Sequence, residues 1–128
     1  MRALLDTHAF LWWNLDDPQL SQTAQEFIKD RRNQIFLSAV TAWEIAVKAA
    51  RGRLQLPDKP SYYFANRIKH YGLSALPIVI THALHVYDLP DIHQDPFDRL
   101  LIAQSQIEQI PILTKDRKIA LYDVDIIW

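Results

Sequence analysis

Five short apolar runs, separated by stretches of helix length, constrain this chain more than any other feature. The runs are Arg2 to Leu5, Ile35 to Leu37, Leu73 to Ile78, Ile110 to Thr114 and Val124 to Ile127. Strands that are continuously apolar rather than alternating are buried on both faces, and crossover helices supply that cover in a parallel sheet. The intervening segments have helix signals: Ala9 to Leu15, Gln22 to Arg32 behind a Ser21 cap, and Ser61 to Tyr71 stopped by Gly72. A further helix starts at Ser38 or Thr41 and runs to about Arg51, with Trp43, Ala46, Val47 and Ala50 on one stripe; Thr81 to Tyr87 is a short one. Pro96 to Glu108 is the clearest, because Asp95 is a good N-cap and Pro suits the first helical position. The expectation is an α/β fold, a three-layer α/β/α arrangement around a mainly parallel sheet of about five strands. A length of 128 residues suits a single domain, residues 1–128.

Several functions are excluded by what is missing. With only 2 glycines, Gly52 and Gly72, no glycine-rich loop can cradle a phosphate, so dinucleotide binding and P-loop hydrolysis are out. The absence of cysteine removes disulfides, thiolate zinc sites and cysteine nucleophiles. His82 and His85 stand one helical turn apart, but no third zinc ligand is evident. Met1 to Leu5 lacks the character of a secretory leader, and no run of about 18 apolar residues could span a membrane, so a cytoplasmic protein is expected.

The acids are lopsided, with 12 Asp to 3 Glu, and Asp is a poor helix former, so many must serve caps, turns or ligand positions. In open α/β sheets ligands collect at the carboxyl ends of the strands. Asp6 follows the first run, Asp116 follows Ile110 to Thr114, Asp98 lies in the first turn after Pro96, and Glu44 lies early in the helix after the second run. Four carboxylates together repel one another unless a cation neutralises them or some are protonated. Oxygen ligands of this kind favour Mg²⁺ or Mn²⁺, which suit phosphodiester hydrolysis. The formal net charge is -1, so the molecule outside these four acids carries +3.

Four blocks in order carry a resemblance. They are Leu4-Leu5-Asp6-Thr7-His8-Ala9-Phe10-Leu11-Trp12-Trp13; Ser38 to Lys48 with Trp43-Glu44-Ile45-Ala46; His93 to Gln104 with Asp95-Pro96-Phe97-Asp98-Arg99; and Leu113-Thr114-Lys115-Asp116. Together they resemble PIN-domain ribonucleases, and among these the VapC toxins of bacterial type II toxin–antitoxin pairs, over essentially the whole chain. The resemblance implies a PIN-like fold and an acidic quartet of Asp6, Glu44, Asp98 and Asp116 that binds Mg²⁺ or Mn²⁺ and activates water for endonucleolytic RNA cleavage. Asp6 and Asp98 are expected to hold the principal ion, with Glu44 and Asp116 completing or orienting its hydrated shell. It also implies homodimers and a cognate antitoxin whose C-terminal segment enters the active-site groove.

Plainer readings stand beside these. Asp6 suits a helix N-cap, Glu44 an exposed ion pair with Lys48, Asp95 a cap or accessory acid, and Asp116 a turn. Thr7 and Thr114 could orient carboxylates or water, or satisfy backbone groups. His8 and His93 adjoin the acidic blocks, where helix-end hydrogen bonding or substrate contact would use them. Trp12, Trp13 and Trp43 could stack on bases, or pack in the core or a dimer surface. Arg99, Lys115 and Arg117 are the candidates for RNA phosphate contacts. Alternatives to the toxin are a housekeeping PIN-type nuclease in RNA processing and a non-catalytic module that binds RNA or protein. An aspartyl phosphotransferase fits poorly, since His8 holds the position where such phosphatases carry a second Asp.

Overall fold

The computed structural model describes all 128 residues. Strands β1 (Arg2–Leu5), β2 (Gln34–Ser38), β3 (Ser74–Leu76), β4 (Ile112–Leu113) and β5 (Ile126–Ile127) form one sheet in the order β3-β2-β1-β4-β5. Every neighbouring pair is parallel, so the sheet is wholly and not just mainly so. The helices are α1 (Thr7–Leu15), α2 (Gln22–Lys29), α3 (Ala39–Ala50), α4 (Pro60–Tyr71), α5 (Ile80–His85) and α6 (Pro96–Glu108).

Alternation along the strands divides the core between two faces. Ala3 and Leu5 of β1, Ile35 and Leu37 of β2 and Leu113 of β4 pack with Phe10, Ala24, Tyr63 and Phe64 from α1, α2 and α4. Leu4 and Ile112 point the other way, onto Leu100, Leu101, Ile102 and Ala103 of α6. That is the expected three-layer arrangement. Central β1 is accordingly sealed, with Ala3, Leu4 and Leu5 at 0% exposure.

Some boundaries differ from the sequence reading. Pro77 cannot donate to a ladder, and β3 stops at Leu76. Asp30 turns extended to bind the Arg32 guanidinium, which ends α2 at Lys29. The Thr81 to Tyr87 segment divides into α5 and a 3-10 turn over Val86–Asp88. The face of α3 is also not the one expected: Val40, Thr41, Glu44 and Ile45 are buried, whereas Trp43, Ala46 and Ala50 are exposed. Alanine contributes too little area to decide a helix face, and Glu44 is drawn inward by hydrogen bonds. Truncating Leu101, wholly buried beneath the sheet, to Ala should cost about 2–5 kcal/mol, read as a lowered urea midpoint.

Candidate active site

The parallel register assembles the first half of the site. Leu4 pairs with Ile112 and Leu5 with Leu113, which brings the next residues, Asp6 and Thr114, side by side where both strands end. Asp6 caps α1, its Oδ1 accepting the Ala9 N–H at 2.7 Å, while Oδ2 accepts the Thr114 hydroxyl. Thr114 Oγ1 in turn accepts the Asp116 N–H at 3.0 Å. One residue after Asp6, the Thr7 hydroxyl donates to Glu44 Oε1 at 2.7 Å and stands 3.2 Å from the Thr41 hydroxyl. Glu44 also pairs with Lys48, so the expected ion pair exists, but the carboxylate has 3% exposure and is no surface group.

The second half comes from the approach to α6. Asp95 caps that helix by accepting the Phe97 and Asp98 N–H groups. His93 Nδ1 accepts the Asp95 N–H, which leaves Nε2 as the protonated ring nitrogen, 2.9 Å from Asp116 Oδ2 and 3.1 Å from Asp98 Oδ2. One ligand atom each from His93, Asp98 and Asp116 lie within 4.8 Å of one another. Asp6 and Glu44 stand outside this trio, yet their charges act on Asp98. Of the expected pair, Asp98 belongs to this trio, while Asp6 is bound to Thr114 beside it.

Electrostatics separate the acids. Burial pushes the Asp98 carboxyl up to about 8, reinforced by the charges of Asp95, Glu44, Asp6 and Asp116. Burial also raises Asp6, only partly offset by the Thr114 hydroxyl and the Ala9 N–H. For Asp116 burial pulls upward too, but the His93 hydrogen bond and the Lys118 and Ile119 N–H groups prevail and hold it below the usual carboxylate value. The arrangement is a partly enclosed nest of carboxylates and one imidazole, in which full ionisation is unfavourable without a cation.

The PIN domain family profile matches residues 3–125. The chain belongs to the PIN-domain family. Ribonuclease VapC22 of Mycobacterium tuberculosis (strain ATCC 25618 / H37Rv) is 27% identical over 118 residues, 91% of this chain and 88% of that protein. Ribonuclease VapC16 of the same organism is 38% identical over 58 residues, 45% of this chain and 41% of that protein, so the match spans less than half of VapC16. The structure of VapBC2 from Rickettsia felis bound to a promoter DNA fragment superposes with a TM-score of 0.71 at 13% identity, over 98% of this chain and 97% of that one. FitAcB from Neisseria gonorrhoeae gives 0.63 at 20% identity, over 98% and 96%. These structural likenesses establish the PIN fold.

Within this PIN domain the other sequence candidates divide by what they touch. Thr7 and Thr114 orient carboxylates, and Asp95 is a cap whose charge raises Asp98. Arg99, expected on phosphate, instead braces the backbone, its guanidinium donating to the Val86, Pro90 and His93 carbonyls and to the Tyr122 hydroxyl. Lys115 and Arg117 are exposed. The sequence singles out His93 but does not reveal that it joins two acids; its place two residues before the cap of α6, a turn away from Asp98, was the available signal. His82 and His85 hydrogen-bond Glu108 and Gln106, which accounts for both without a metal.

Two outcomes are expected from this geometry. Asp98 has a folded pKa above its unfolded value of about 3.9, so its stabilising contribution is complete below that pH and is lost as pH rises through about 8. Without divalent cations the melting temperature should fall over that interval, by at least about 4 °C, and Asp98→Asn should flatten the fall. Arg99→Gln, which removes hydrogen bonds to three backbone carbonyls and the Tyr122 hydroxyl, should lower the melting temperature, whereas Lys115→Gln, at an exposed side chain, should leave it unchanged.

Proposed function

We propose that this PIN domain is a divalent-metal-dependent endoribonuclease and the toxin of a type II toxin–antitoxin pair. One observation carries the reading: carboxylates from separate elements crowd one edge of the sheet, where burial and then the neighbouring charges push Asp98 up to about 8. Such repulsion is tolerated where a cation relieves it. The relatives named Ribonuclease VapC support RNA as substrate, and the VapBC2 and FitAcB structures support an antitoxin partner. A cytoplasmic homodimer belongs to the same reading, and no helix here is long and apolar enough to cross a membrane.

The donor set fits Mg²⁺ or Mn²⁺, since it offers hard carboxylate oxygens with one imidazole and no thiolate. Asp98, Asp116 and Asp6 would hold the ion, with Glu44 orienting its waters. When bound, the ion supplies Lewis-acid polarisation of a phosphoryl oxygen and makes water more acidic. The chain's own residues fix the geometry. Thr114 and the Ala9 N–H aim Asp6, Thr7 and Lys48 aim Glu44, and His93 holds Asp98 and Asp116 at a set spacing. Lys115 and Arg117, exposed beyond β4, meet the substrate's phosphates.

Calorimetric Mn²⁺ titration combined with RNA cleavage tests the reading. Binding should be saturable and should tighten as pH rises toward 8, because Asp98 must lose its proton. Asp98→Asn should weaken binding and cleavage by more than about 100-fold, beyond the usual cost of losing an outer-shell partner, without lowering the melting temperature. Cleavage that survives in Asp6→Asn or Asp98→Asn, or that persists in EDTA, would overturn it.

A further inference from the structure

Beside the acids, on the α1 side, lies an open cleft of about 350 Å³ lined by Asp6, His8, Trp12, Gln19, Lys115 and Asp116. That volume is at the lower end of the range in which small ligands bind, about 300–1,000 Å³. Its construction follows from the site itself. Asp6 starts α1, so His8 and Trp12, one turn apart, share the helix face next to the carboxylates, with ring centroids 5.5 Å apart. Lys115 enters from the opposite wall, between Thr114 and Asp116, with its ammonium 5.8 Å from the Trp12 ring centroid.

We infer that this cleft is a nucleobase subsite, in which Trp12 stacks on one base of single-stranded RNA while Lys115 contacts a phosphate of the same strand. The inference rests on the ribonuclease reading and deepens it. The tryptophans of the chain are not equivalent here. Trp13 is packed edge-on against Tyr71, Trp43 against Phe97 outside the cleft, and Trp128 stands edge-on to Trp12, leaving Trp12 as the indole of the lining. An aromatic face receives any base, which suits cleavage of an unpaired strand.

Lys115 is the cation that makes the cleft hospitable to a polyanion beside two carboxylates. It is exposed and has no carboxylate partner. Its approach to Trp12 is near the outer limit of a cation–π contact, about 6 Å, so the ring can exchange the ammonium for a base at little cost. The freed ammonium then reaches the backbone of the strand. Gln19, exposed at the rim, offers an amide to the edge of the base.

The test measures binding of two labelled RNA octamers of random sequence in EDTA, one intact and one abasic at its central positions, by fluorescence anisotropy. Against the intact octamer Trp12→Leu should weaken binding roughly 5- to 150-fold, with Trp12→Phe restoring most of it and Trp43→Leu having no effect. Against the abasic octamer Trp12→Leu should change nothing, which separates a lost stack from a damaged fold. Equal losses on both octamers, or a Trp12→Leu protein within twofold of native on the intact one, would overturn the inference. The ribonuclease reading fails differently, through cleavage that needs no metal or no Asp98, and would leave Trp12-dependent binding in place.

Discussion

Like-charge crowding at the carboxyl edge of the sheet is the constraint to which the surrounding structure answers. Each acid is compensated in its own way. Asp6 has a backbone N–H and the Thr114 hydroxyl, Glu44 has Thr7 and Lys48, and Asp116 has His93 and two backbone N–H groups. Asp98 receives only the His93 nitrogen, which it shares with Asp116. Burial and, after it, the neighbouring charges therefore act on Asp98 with little to offset them, and its pKa moves to about 8 while the donors around Asp116 hold that carboxyl low. Local donors decide which carboxylate absorbs the cost of the others.

Parallel topology makes that crowding possible. In a parallel sheet every strand ends at the same edge, and each following helix starts there. α1, α3 and α6 all begin at it, capped by Asp6, Ser38 and Asp95. Their N-termini turn unsatisfied N–H groups and the positive ends of three helix dipoles toward the acids, each equivalent to roughly half a unit charge. Ser38 also donates to Gln104, a buried side chain of α6, and this hydrogen bond fixes the start of α3 against α6. The position of Glu44 relative to Asp98 thus depends on a contact between two uncharged side chains away from both.

Much of this was legible in the sequence because it rests on short-range rules. The apolar runs, the Asp95-Pro96 start of α6 and the Gly72 stop of α4 are local signals, and each marks its element, although β3, β4 and β5 are shorter than their runs. The acids could be assigned to one edge because strand ends define it. What required the structure was long-range. The buried face of α3 sets Glu44 between Val40 and Ile45, and the partner that satisfies its carboxylate, Thr7, lies 37 positions away. Arg99 next to Asp98 looked like a substrate contact, but its acceptors are carbonyls of the preceding loop, and nothing in a residue's type announces which carbonyls will converge on it.

That same loop explains how His93 can hold two repelling carboxylates. The Tyr122 hydroxyl accepts the Ile92 and His93 N–H groups and an Arg99 nitrogen, and donates to the Pro90 carbonyl. Tyr122 lies a few residues beyond Asp116, so the segment carrying Asp116 grips the His93 loop twice, at the imidazole and at the backbone. Asp98 and Arg99 close the circuit from α6. A displacement of either segment would have to break several buried or part-buried hydrogen bonds together, so the two carboxylates keep their spacing despite repulsion. Their unfavourable proximity is imposed when the chain folds, and a cation bound there, as proposed, would have little left to reorganise, the condition under which preorganised electrostatics act most strongly.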